Sequence, residues 1–254
     1  MAPAFDYDTR DIASAYASAR GLTPVRERVW AGHLRSARGD GDVRHVIDLG
    51  CGVGRFVPLL REVFRARVYG IDPSARMLAA ASAGTADTAI TWLRAAAEAL
   101  PVAGARIDLV FLYLVYHHLR DPLAALRECA RVLVPGGRLL VVNATVDILD
   151  SLRWLPFFPS ARPIDAARLP ARAQVAETAR RAGLTLLGQR PVADPVAPGL
   201  RAYAERVASR TFSTLQLVPD REFADGVAAF RRHCEGEDCG QVVEEVIDTF
   251  LFRR

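Results

Sequence analysis

Five short runs of aliphatic and β-branched residues lie between residues 43 and 143, separated by segments whose apolar positions fall mostly at helical spacing. The runs cover 43–49, 67–71, 89–93, 107–112 and 138–143. Runs of this length read as strands. The stripe Phe56, Leu59, Leu60, Val63, Phe64 and the stripe Leu123, Leu126, Ala130, Leu133 read as helix faces turned to a core. Ser74 and the pair Asp121-Pro122 stand where helix N-caps belong, and Pro135-Gly136-Gly137 turns the chain into the fifth run. Strands that alternate with helices lie parallel in one sheet with helices on both faces. The prediction is an α/β fold, doubly wound around a mostly parallel seven-stranded sheet, with two later runs completing the sheet.

Outside this region the pattern changes. Residues 9–20 read as a helix with Ile12, Tyr16 and Arg20 on one face, and a second helix is expected over 23–36. Residues 152–170 are rich in proline and aromatics, among them Trp154, Phe157 and Phe158. A helix over 171–183 and a strand over 184–190 follow. Residues 195–240 read as helical, with stripes Leu200/Tyr203/Val207 and Phe223/Val227/Phe230, and 246–252 as a final strand. The expected organisation is an N-terminal helical lid (1–38), an α/β core (39–194), a helical insert covering the substrate site (195–240) and a last strand returning to the core (241–254).

Composition excludes several functions. All 33 basic residues are arginine, which removes a P-loop, a Schiff base and a lysine base at once. The net charge of +4 is spread among acids along the whole length rather than gathered on one face, so no nucleic-acid partner is expected. No apolar run approaches the roughly 18 residues of a membrane span, and the polar, acidic start is unlike a secretory signal, so a cytoplasmic setting is expected. Cys51 and Cys129 sit in patterned apolar segments and read as buried thiols. His233, Cys234 and Cys239 lie close together but lack the four-ligand spacing of structural zinc, so no metal is expected.

In a doubly wound sheet, ligands bind beyond the carboxyl ends of the strands. There the sequence places Gly50, Gly52 and Gly54 after the first strand and Asp72 after the second. Ala95-Ala96-Ala97-Glu98 follow the third, and Tyr113-Leu114 with His117-His118 follow the fourth. Glycines let backbone approach a ligand closely, and a carboxylate can accept from both hydroxyls of a ribose. A glycine run alone fits a nucleotide site or a plain turn equally.

The wider set of motifs is more specific. Val46-Ile-Asp-Leu-Gly-Cys-Gly-Val-Gly-Arg55, Gly70-Ile-Asp-Pro-Ser74 with Met77-Leu78, Ala97-Glu98-Ala-Leu-Pro101, His117-His118-Leu-Arg-Asp121 and Arg131-Val-Leu-Val-Pro-Gly-Gly-Arg138 occur in that order. Together they resemble the class I S-adenosylmethionine-dependent methyltransferases, in the small-molecule and ubiquinone-biosynthesis-like subgroup, over roughly residues 40–145. The resemblance implies that Asp48 and the three glycines surround the methionine end of S-adenosyl-L-methionine and that Asp72 holds the ribose. It further implies that Ala97 offers its N–H to the adenine, with Met77 against the ring. It also places Cys51, Pro73, Ala96, Glu98, Tyr113, Leu114 and His118 along the cofactor, with Tyr16 and Arg20 closing over it. Many relatives carry Gly-Asp where this chain has Ala95-Ala96, which removes one polar contact to adenine.

The expected activity is methyl transfer to a small organic acceptor, with S-adenosyl-L-homocysteine as product. His118 and His117 are the candidate bases, needed only if the acceptor loses a proton. Trp154, Phe157, Phe158, Tyr203, Phe212 and Phe223 are candidates to line an apolar acceptor cavity, which favours a hydrophobic or aromatic acceptor. Two rivals share parts of the pattern: a nicotinamide-dependent oxidoreductase, and a protein that binds S-adenosylmethionine without catalysis. The expected assembly is a monomer or homodimer.

Overall fold

A computed structural model describes residues 22–254 apart from Asp40, Gly84, Asp238 and Cys239. The helix expected over 9–20, with Tyr16 and Arg20, and the residue Cys239 therefore lie outside the described residues. Seven strands form one sheet in the order β3-β2-β1-β4-β5-β7-β6. They are β1 (His45–Leu49), β2 (Arg67–Asp72), β3 (Ile90–Arg94), β4 (Ile107–Tyr113), β5 (Leu133–Asn143), β6 (Thr185–Ala197) and β7 (Val243–Arg253). β1 through β5 pair in parallel, and β7 runs antiparallel to both β5 and β6. The mostly parallel seven-stranded sheet expected from the sequence is the one observed.

The helices are α1 (Pro24–Ala37), α2 (Val57–Phe64), α3 (Ala75–Ser82), α4 (Pro122–Val132), α5 (Ala161–Arg168), α6 (Arg172–Arg181), α7 (Leu200–Ala208) and α8 (Asp220–Glu237). Their starts follow the capping chemistry in the sequence. The Ser74 hydroxyl accepts from Met77 N at 3.1 Å, and Asp121 Oδ1 accepts from Ala124 N at 3.0 Å with Pro122 in the first turn. β5 begins earlier than its apolar run: Leu133 pairs with Ile107, and the register shifts before Arg138 pairs with Leu109. β6 continues beyond residue 190 to Ala197 even though it contains Pro191 and Pro195, because it is an edge strand whose outer side needs no ladder partner.

Two cores cover the faces of the sheet. One gathers Ile47, Leu49, Leu112, Leu126, Cys129, Val175 and Phe250; the other gathers Trp30, Leu34, Val46, Phe56, Leu60 and Phe111. A third core joins Trp154, Phe158, Tyr203, Val207, Phe230 and Cys234 to Val196 and Val243 at the ends of β6 and β7. This third core depends on close approach at Gly226 in α8, where a Cβ would lie 2.5 Å from the Phe158 ring and 2.6 Å from the Phe157 carbonyl oxygen. Alanine favours a helix by about 1 kcal/mol over glycine. Gly226→Ala is nonetheless expected to cost about 1–3 kcal/mol through overpacking, measured as a lower urea midpoint. An unchanged midpoint would show that α8 can shift. No helix among the described residues is long and apolar enough to cross a membrane.

Candidate functional site

The strand order reverses at β1 and β4, so the connections leaving their carboxyl ends diverge and open a crevice. A cavity of about 730 Å³ occupies it, within the span usual for small-molecule sites. Its walls draw on every loop the sequence singled out: Gly50, Cys51, Gly52, Asp72, Pro73, Met77, Ala96, Ala97, Glu98, Tyr113, Leu114, His117 and His118 all line it. Asp48 and Gly54 do not.

The turn after β1 is shaped by what surrounds it. Gly50 has φ +71°, and a Cβ there would stand 2.4 Å from the Val115 side chain, so only glycine lets this turn lie under the loop after β4. Gly54 has φ +76° and packs against Trp92 of β3, at 2.5 Å from the position of an added Cβ; its contact is with the sheet. Asp72 ties the turn to the end of β2. Its Oδ2 accepts from Gly52 N at 2.8 Å and its Oδ1 from Ser74 N at 2.9 Å. An ionised carboxylate offers about four acceptor sites, enough for these amides and a ribose diol. Glu98 Oε1 accepts from Arg120 N and Asp121 N, at 3.1 and 3.2 Å, and so joins the loop after β3 to the one after β4. Leu114 sits at φ +58°, an uncommon backbone for a branched residue, at the point where β4 opens into the cavity.

Asp48 lies buried beneath the turn. Burial pushes its carboxyl up to about 7, Asp72 adds to the rise, and Arg55 opposes it. The sign follows from linkage: the folded state holds a proton that the unfolded state has already released near pH 4, so ionisation opposes folding as pH rises. The contribution of Asp48 to stability is therefore expected to decline between about pH 4 and pH 7. Asp48→Asn should flatten that slope in urea titrations across the range; an identical slope would place its origin elsewhere.

The two histidines lie with ring centroids 4.0 Å apart. Asn143 Nδ2 donates to the Ala144 carbonyl at 2.7 Å, which turns Asn143 Oδ1 toward His117 Nδ1 at 3.0 Å. Nδ1 must then carry the hydrogen, and in the neutral ring the lone pair is on Nε2.

Sequence reading missed the buried charges of the site. Arg26 of α1 donates through Nε to Asp194 Oδ1 at 2.7 Å and through Nη2 to Asp194 Oδ2 and to the Tyr113 hydroxyl. Trp30 Nε1 also donates to Asp194, at 2.9 Å, and Tyr113 donates to it at 2.5 Å. Burial alone would raise the Asp194 carboxyl; Arg26 and these donors outweigh it and hold Asp194 below the usual range. Burial pushes the Tyr113 hydroxyl up to about 12. Asp165, Arg206, Thr214 and Glu245 complete the polar wall. Of the six candidate aromatic liners only Trp154 and Phe212 reach the cavity. Phe158 and Tyr203 are buried in the third core, and Phe157 and Phe223 pack against it. Cys234 is buried in that core too, with the His233 ring 5.3 Å from that of Phe157.

Residues 47–141 match the methyltransferase domain family. That stretch runs from β1 into β5 and so takes in the loops that line the cavity from β1 to β4. The chain is 36% identical over 140 residues to a malonyl-[acyl-carrier protein] O-methyltransferase of Hahella chejuensis, covering 55% of this chain and 50% of the relative. It is 42% identical over 101 residues to a trans-aconitate 2-methyltransferase of an Azoarcus species, covering 39% of each. The chain thus spans about half the length, or less, of these curated relatives. Its fold matches phosphoethanolamine N-methyltransferase 2 of Haemonchus contortus with a TM-score of 0.64 at 17% identity, over 95% of this chain and 56% of that one. It also matches the [4+2]-cyclase SpnF with a TM-score of 0.62 at 18% identity, over 90% of this chain and 80% of that one. The matched stretch holds the glycine turn, Asp72, Ala97 and the histidines. Arg26, Trp154, Asp194, Arg206 and Glu245 lie outside the matched stretch.

Proposed function

We propose that the chain binds S-adenosyl-L-methionine against the β1–β4 loops and transfers its methyl group to a small, hydrophobic or aromatic acceptor held in the rest of the cavity, releasing S-adenosyl-L-homocysteine. The observation that carries this reading is one continuous cavity in which Gly50, Gly52, Asp72 and Ala97 share a wall with Trp154 and Phe212. Bound there, the cofactor supplies a methyl group made electrophilic by a sulfonium.

The chain's own task is to hold two ligands in line and keep water out. The glycine turn admits the methionine end, Asp72 takes the ribose hydroxyls, and Met77 and Ala97 flank the adenine. Where the acceptor carries an O–H or N–H, His117 Nε2 takes the proton, with its tautomer set by Asn143. The stretch 195–240 covers the acceptor: Arg206, Phe212, Ser213 and Thr214, all from this stretch, line the cavity.

Fold likeness alone does not decide activity, since a cyclase shares the architecture. Calorimetric titration with S-adenosylmethionine and with NADH decides between cofactors, and release of S-adenosylhomocysteine in a metabolite extract decides whether there is turnover. S-adenosylmethionine is expected to bind and NADH not to bind. Tight NADH binding with no response to S-adenosylmethionine would overturn the proposal, and cofactor binding with no turnover in any extract would reduce it to binding without catalysis.

A further inference from the structure

The part of the cavity wall that follows β5 contains a donor with no acceptor among the described residues. Trp154 is 3% exposed and its indole Nε1–H, which can only donate, has no hydrogen-bond partner among the described residues. Leaving a buried polar group this way is costly, and the chain meets the same need elsewhere by giving Trp30 the Asp194 carboxylate. A second donor group stands nearby. The Trp154 and Phe212 rings lie 5.6 Å apart, and the Arg206 guanidinium carbon lies 5.6 Å from the centre of the same Phe212 ring. Arg206 is fixed there by donating from Nη1 to the Val196 carbonyl at 2.7 Å. All three residues line the cavity.

We infer that the acceptor presents a carboxylate or carbonyl oxygen to Trp154 Nε1–H and the Arg206 guanidinium, with its apolar body against Phe212. This deepens the proposed function and rests on it for the placement of the acceptor. The acids of the wall do not oppose it. Asp194 is matched by Arg26, Asp165 accepts from the Thr214 hydroxyl and Glu245 from the Tyr203 hydroxyl. Burial pushes both Asp165 and Glu245 above the usual carboxylate range, toward their neutral forms. An anionic oxygen therefore meets donors in this wall.

The test uses three ligands that share one ring and differ in the group it carries: benzoate, benzamide and benzylamine. Each is titrated calorimetrically into the chain saturated with S-adenosylhomocysteine. Benzoate and benzamide are expected to bind about tenfold or more tighter than benzylamine, the scale of one hydrogen bond to a charged group. Trp154→Phe keeps the ring and removes the donor; it should weaken benzoate and benzamide about fivefold and leave benzylamine unchanged. Benzylamine binding as tightly as benzoate, no binding of any of the three, or a benzoate affinity untouched by Trp154→Phe would each overturn the inference. The ranking on the unaltered chain stands even if the variant fails to fold. Failure of S-adenosylhomocysteine itself to bind would instead sink the proposed function.

Discussion

With alanine in place of Asp72, the affinity for S-adenosylmethionine is expected to fall by at least about tenfold, the equivalent of roughly 1.4 kcal/mol. Two losses combine. The ribose hydroxyls lose a charged acceptor, and hydrogen bonds to charged groups are worth about 1.5–3 kcal/mol each. The protein also loses the tie between its glycine turn and β2, because Gly52 N and Ser74 N both donate to this side chain. Asp72→Asn separates the two. It keeps one acceptor oxygen and the shape but lacks the charge, so it should fall between alanine and the parent. Calorimetry on samples matched for far-ultraviolet circular dichroism checks the result. Unchanged affinity in Asp72→Ala would place the cofactor away from β2 and undo the assignment of the cavity.

Asp72 was legible in the sequence because everything that gives it meaning is local. An apolar run followed by an acid, Pro73 and a capping serine marks a strand end entering a helix, and the glycines of the preceding turn mark the place where backbone approaches. The same holds for Ser74, Asp121-Pro122 and the Pro-Gly-Gly turn, each of which acts on residues three or four positions away. The parallel sheet followed from strand–helix alternation for the same reason.

What sequence reading missed is long-range. Arg26 and Asp194 are 168 residues apart, and in a chain rich in arginine neither stands out from the charges around it. They meet only because α1 packs on β6. The aromatic candidates show the opposite error. Phe157, Phe158, Tyr203 and Phe223 resemble Trp154 and Phe212 in type and all six belong to or pack on the third core, yet only the last two also reach the cavity. Large aromatic side chains bury wherever area is available, so their presence near a site carries no information about which way they point. Gly54 was grouped with Gly50 and Gly52 for its spacing, but its neighbour is Trp92, so the same left-handed backbone serves sheet packing at one glycine and the cavity at the others.

Asp194→Ala is expected to destabilise the fold by about 3–5 kcal/mol, the usual cost of removing one partner from a buried ion pair. Arg26 is 2% exposed and Asp194 3% exposed, so both charges are almost wholly shielded from water. The carboxylate is the common acceptor for Arg26, Trp30 and Tyr113, and alanine strands all three donors at once. Arg26 already has one nitrogen, Nη1, without a partner among the described residues, and without Asp194 its one remaining side-chain acceptor there is the neutral Tyr113 hydroxyl. If the charge is the origin of the loss, removing it should return part of the stability: Arg26→Met combined with Asp194→Leu keeps the volume apolar and should be more stable than Asp194→Ala alone. Urea midpoints for the single and double variants test this directly. A double variant no better than the single one would mean that the stranded Trp30 and Tyr113 donors, rather than the buried guanidinium, dominate the cost. Both residues line the cavity, so the double variant should also lose acceptor binding, while affinity for S-adenosylhomocysteine, which the proposed function assigns to Asp72 and the glycine turn, should change little. That split would locate the boundary between the two halves of the site at the end of β4, where Tyr113 donates to Asp194 and Leu114 lines the cavity.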